Sequence, residues 1–106
     1  MKLMTQELVQ RFATIGSQQE NKDPLIIAKF FNPCGAGYWF ATEYNPEEKM
    51  FFGYVSLFGN ECDEWGYFGL DELAEIKTPP FGLGIERDLH FTEKPASEII
   101  KQYTKV

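Results

Sequence analysis

The sequence is short of several things that would identify a function. It has one histidine, His90, and two cysteines, Cys34 and Cys62, in 106 residues. A single histidine excludes a multi-histidine metal centre and forces any Ser-His-Asp or Cys-His catalytic pair to use His90. Two cysteines outside any CxxC or Cys/His spacing are too few for a secreted disulfide scaffold, and free thiols are the expectation. No apolar run approaches the roughly 20 residues that cross a bilayer, and "MKLMTQELVQRF" places Thr5, Gln6 and Glu7 where a secretion signal needs an unbroken apolar stretch. A cytoplasmic protein without membrane association is therefore expected. Phosphate-binding strings are also missing, since neither "GAGYWF" nor "FGLG" has the spacing of a nucleotide loop.

Basic residues are scarce in one third of the chain. From Glu43 to Glu75 there are nine acidic residues and one base, Lys49, whereas the remainder is close to balanced within a formal charge of -6. A surface of that sign repels nucleic-acid phosphates and attracts basic partners, so no direct nucleic-acid binding is expected.

What the sequence has in excess is aromatic: 16% of residues, with ten Phe, five Tyr and two Trp. Apolar content of 43% over this length suits one domain, 1–106, built on a single core. "TQELVQRFATIG" predicts an N-terminal helix, capped by Thr5, with Leu8, Phe12 and Ile15 on one side and Gly16 as its stop. "SQQENKDP" has no apolar residue and reads as a solvated linker that closes the segment 1–22.

From Leu25 the period becomes that of strands. "LIIAKFF", "YWFATEY", "MFFGYVSLF" and "WGYFGL" are separated by turns of about five or six residues, which indicates an antiparallel meander. Strict alternation groups Tyr38, Phe40, Thr42 and Tyr44 against Trp39, Ala41 and Glu43. Both faces are apolar, so helices are expected on one and a curled sheet, a loop or a partner over the other. "LDELAEIK" predicts a short helix, "IERDLHF" an extended segment, and "KPASEIIKQY" a C-terminal helix with Ile99, Ile100 and Tyr103 facing inward. The class is α+β, with a four- to five-stranded meander, an N-terminal helix, a short helix after the fourth strand and a C-terminal helix.

Three constellations bear on chemistry. In an extended "IERDLHF", Glu86, Asp88 and His90 share a face and form a candidate catalytic or metal-ligating set for a small metal-dependent hydrolase or nuclease-like enzyme. The competing reading is a structural strand with Arg87 and Asp88 in ion pairs and His90 half-buried. If Tyr44 opposes Met50 across "NPEEK", Cys34 and Cys62 lie at the same end of the sheet, where a disulfide or a two-cysteine metal edge is geometrically possible. Finally, Glu43, Glu47, Glu48, Glu61, Asp63, Glu64 and Trp65 form a candidate protein-binding surface, with carboxylates around an aromatic anchor.

The ordered string "DPLIIAKFFNP…GYWFATEYN…MFFGYV…WGYFGLDELAEI…GLGIERDLHF" resembles a family of small bacterial single-domain proteins known only as a domain of unknown function, often carried on plasmids, integrative elements and phages. The resemblance spans residues 23–98 and leaves the Thr5–Ile15 helix outside. It implies a compact α+β domain in a mobile-element context and brings no catalytic residue to carry over; no cofactor is expected. Gly69 stands where a serine-type cap would precede the "LDELAEI" helix. The expected function is a non-enzymatic module that engages a basic host or mobile-element protein, in concrete form an anti-CRISPR or anti-restriction inhibitor whose carboxylates stand in for phosphates. A homodimer through the second sheet face is compatible with either reading.

Overall fold

The computed structural model describes residues 2–57, 63–78 and 80–103; Glu61, Cys62 and the Tyr103 side chain lie outside what is described. Helix α1 is Gln6–Ile15; the Thr5 hydroxyl accepts from the Leu8 N–H at 3.2 Å, and Gly16, at φ 66°, ends it by donating to the Phe12 carbonyl. Strands β1 (Leu25–Ile26), β2 (Ala28–Phe31), β3 (Tyr38–Asn45), β4 (Met50–Ser56) and β5 (Glu64–Gly69) follow, then α2 (Leu70–Glu75). Short strands β6 (Lys77–Thr78), β7 (Leu83–Gly84), β8 (Glu86–Arg87) and β9 (Lys94–Pro95) precede the last helix, α3 (Ala96–Tyr103).

The main sheet has the order β5-β4-β3-β2-β8, all neighbours antiparallel, so the expected meander is present with β8 as its fifth strand. The run "LIIAKFF" is divided at Ile27: β1 leaves the sheet and pairs with β9, whereas β2 stays in it. Gly69 caps α2 without a side-chain bond, and the helix ends at Glu75.

Both faces of the sheet are covered by helix, which corrects the expectation of helices on one side alone. On the first face Phe30, Phe51, Phe68 and Ala41 pack with Phe12 of α1 and Leu73 of α2. On the second, Phe40 and Tyr54 pack with Ile26, Ala96 and Ile99, so α3 and the β1/β9 ribbon form the lid. Phe30, Phe40 and Phe51 are fully buried, each worth about 1.5–3 kcal/mol of transfer free energy.

A bulge between Ala41 and Glu43 sets the register of the central hairpin. Asn45 pairs with Met50 and Tyr44 with Phe51, one residue from the expected Tyr44 to Met50 pairing, while beyond the bulge Phe40 faces Tyr54 as expected. The extra residue, Thr42, is buried and donates its hydroxyl to the Phe52 carbonyl at 3.1 Å. Tyr44 is consequently on the first face against Phe12 and Phe51, and Glu43 is on the second, the reverse of strict alternation.

The linker is less solvated than its composition suggests. Gln18 is buried: its amide donates to the Leu25 and Thr42 carbonyls at 2.9 and 2.8 Å and its carbonyl accepts from the Leu25 N–H at 2.7 Å. Asp23 reaches α3, accepting from the Ser97 N–H at 2.8 Å and the Ser97 hydroxyl at 2.7 Å. These bonds satisfy a helix-start N–H that has no partner within the helix. They also hold the Asp23 carboxyl below the ordinary aspartate range, the hydroxyl bond contributing most.

Candidate functional site

The segment with the only histidine does not remain extended. β8 ends at Arg87, and Asp88 starts a turn in which its carboxylate accepts from the His90 N–H at 2.9 Å. The second Asp88 oxygen lies 3.5 Å from Lys29 Nζ. Glu86 borders a hollow of about 580 Å³ beside Leu3 and Leu70, whereas Asp88 borders another of about 440 Å³ between α1 and the turn. His90 is exposed and lines neither, contrary to the half-buried position expected of it. The turn thus undoes the period-two convergence on which a catalytic or metal set depended. Among the described residues no three His, Cys, Asp or Glu side chains are grouped to hold a metal ion.

Cys34 is a free, half-buried thiol in the β2–β3 turn, where its N–H donates to the Asn32 side chain at 2.8 Å. The proposed neighbour Cys62 lies outside the described residues.

The acidic third of the chain divides by strand geometry. On the second face of the sheet, paired residues line up in rows across β3, β4 and β5: Glu43, Phe52 and Tyr67 in one row, and Phe40, Tyr54 and Trp65 in the next. α3 seals the β3 end of the second row and leaves β5 uncovered. Trp65 is 37% exposed and Tyr67 69% exposed, which is unusual for rings in a strand.

The rings support one another. Phe52 stacks on Trp65 with centroids 6.0 Å apart and meets Tyr67 edge-on at 5.0 Å, while Tyr54 meets Trp65 edge-on at 5.6 Å. Such pairs add about 0.5–1.5 kcal/mol beyond area burial and hold the rings in place. Glu43 and Phe52 form a ridge between two hollows. One, of about 700 Å³, reaches past Tyr67 to Glu48 and the end of α1; the other, of about 280 Å³, lies between Trp65 and the linker.

Of the remaining acids only Glu48 reaches the border of the rings, across the larger hollow. Glu47 and Glu48 sit in the β3–β4 turn, where their N–H groups donate to the Asn45 side chain at 2.9 and 3.2 Å. Asp63 accepts from the Ser56 hydroxyl at 2.8 Å, and Glu64, paired with Val55, takes the opposite face from Trp65. Glu61 lies outside the described residues. Phe52 is a member of the site that the sequence reading omitted. Alternation along β4 and β5 was the available signal, and it becomes usable only with the bulge-corrected register.

The family model described as protein of unknown function DUF2958 matches residues 3–105, and so includes the α1 helix that the sequence resemblance left outside. No curated protein and no solved structure shows significant similarity to the chain.

Proposed function

We propose that this chain, which belongs to the DUF2958 family, is a protein-binding module that presents Phe52, Trp65 and Tyr67, with Glu43 and Glu48 at their border, to a basic partner. The observation that carries the reading is the pre-stacked ring cluster on the half of the sheet that α3 leaves open. Preordered Trp and Tyr anchors lose little conformational entropy on binding, and their faces attract Lys and Arg side chains. The carboxylates raise the encounter rate with cationic surfaces and disfavour phosphate-bearing ones.

In the setting expected from the sequence, a mobile element, the basic partner is a nucleic-acid-binding host defence protein, and the module is an inhibitor that occupies its phosphate-binding groove. The test is capture from host lysate on immobilised wild-type protein and on a Glu43→Gln, Glu48→Gln, Trp65→Ala variant. A basic protein retained by wild type at low salt, released as the Debye length falls from about 10 Å to about 3 Å between 0.1 and 1 M salt, and not retained by the variant, is the expected result. Equal retention by both proteins, or retention insensitive to salt, rejects the reading.

A further inference from the structure

The rings of β5 belong to the outermost strand of the sheet among the described residues. The order β5-β4-β3-β2-β8 leaves β5 with no partner beyond it among the described residues. Natural edge strands are usually blunted with lysine, proline or a bulge. β5, "EWGYFG", has neither lysine nor proline, and its pairing with β4 runs without a register shift.

The direction of its free backbone groups follows from one hydrogen bond. The Leu70 N–H donates to the Lys49 carbonyl at 2.9 Å, and that pair continues the β4/β5 register. Bonded and non-bonded pairs alternate in an antiparallel ladder. Phe68, Gly66 and Glu64 therefore bond inward to β4, and Trp65 and Tyr67 point their N–H and C=O groups outward. The two residues whose rings stand exposed on the second face are thus among those, with Gly69, whose backbone groups face the edge away from β4. Between them Gly66 carries no side chain, and a Cβ built there meets nothing within 4 Å.

Resting on the proposed binding face, we infer that the partner enters as an extended, basic peptide that adds to β5 as a sixth antiparallel strand. Its residues i and i+2 extend the Tyr67 and Trp65 rows and are cationic, placed for contact with the ring faces. Residue i+1 is large and apolar, because it falls on the other face beside the open space at Gly66. Main-chain bonds supply affinity and the alternating side chains supply choice, as in other strand additions. A second copy of this chain is a poor occupant, since it brings Glu64 and the same acid-rich third against an identical set.

Backbone amide exchange followed by NMR separates strand addition from contact through side chains alone. The probe is the blocked heptapeptide TVRFRVT, with TVEFEVT and TVRPRVT as controls. Expected is at least a tenfold slowing of exchange at the Trp65 and Tyr67 amides with TVRFRVT, little change at Gly66 and Phe68, and no effect of either control. Shifts of the Trp65 indole and Tyr67 ring signals with those two amides still exchanging freely overturn strand addition and leave the binding face intact. No shift of rings or amides overturns both. Protection that grows with protein concentration in the absence of peptide identifies a second copy as the occupant and overturns the inference.

Discussion

The two halves of the second sheet face are built from similar residues and end differently. On the β2–β3 half, Phe40 is sealed beneath Ile26, Ala96 and Ile99, with Tyr38 beside it; on the β4–β5 half, Phe52, Trp65 and Tyr67 form a cluster of their own in contact with water. Hydrophobicity does not separate them, because the strands are equally aromatic. What separates them is where α3 is fastened, and the fasteners are polar: Asp23 on Ser97, the Pro24 carbonyl on the Ala96 N–H, and Gln18 holding β1 against β3. An apolar surface is buried or left exposed according to polar groups several strands away.

The comparison can be broken most severely at the joint between the halves. A Cβ on Gly53 would lie 1.8 Å from the Phe40 carbonyl oxygen, so β3 and β4 must part to admit Gly53→Ala. A loss above about 4 kcal/mol is expected, read as the absence of a cooperative unfolding transition at ambient temperature. Phe40→Ala, on the sealed side, should cost about 3–5 kcal/mol in chemical denaturation. Tyr67→Ala, on the open side, should cost only about 0.5–1.5 kcal/mol, the worth of its edge contact with Phe52, while weakening capture of a basic partner. Similar stability losses for these two variants would erase the distinction between the sealed and the exposed half.

Gln18→Ala tests the fastening. It leaves the Leu25 and Thr42 backbone groups without their partner, and a loss of about 2–4 kcal/mol is expected, with faster amide exchange in β1. Asp23→Asn should give the smallest change, and its pH dependence has a definite sign. A carboxyl held below its ordinary pKa stabilises the fold above the unfolded-state value, and that contribution disappears as pH falls through the lowered folded value. The thermal midpoints of wild type and Asp23→Asn should therefore differ near neutrality and converge in acid; a gap that persists below about pH 2 would refute this role for Asp23.

The elements with local causes were legible in the sequence: Thr5 and Gly16 bound α1, and the Asn-Pro turns separate the strands of the meander. Features decided at a distance were not. Nothing in "FATEY" shows that Thr42 bulges, yet that one residue exchanges the faces of Glu43 and Tyr44. Nothing in "SQQENKDP" shows that Gln18 is a buried bracket, since its partners are backbone groups of β1 and β3. The break after Arg87 is an intermediate case, because Asp88 followed by Leu89 and His90 is compatible with a side-chain-capped turn, and the alternation of Glu86, Asp88 and His90 favours a strand. The acids of residues 43–75 were legible as a group, but their division among a ridge, a hairpin turn and the opposite face required the register.

The contacts that close the domain join its two ends: Arg11 grips Glu93 through two bonds of 2.8 Å, Arg87 reaches the Leu3 carbonyl at 3.5 Å, and Asp23 holds Ser97. All three need residues from Arg87 onward, whereas the run of strands from β2 to β5 is complete by Gly69. In chain order every strand from β2 to β5 precedes the helix that covers the Phe40 half, so the difference between the buried and the exposed half of that face rests on the last helix.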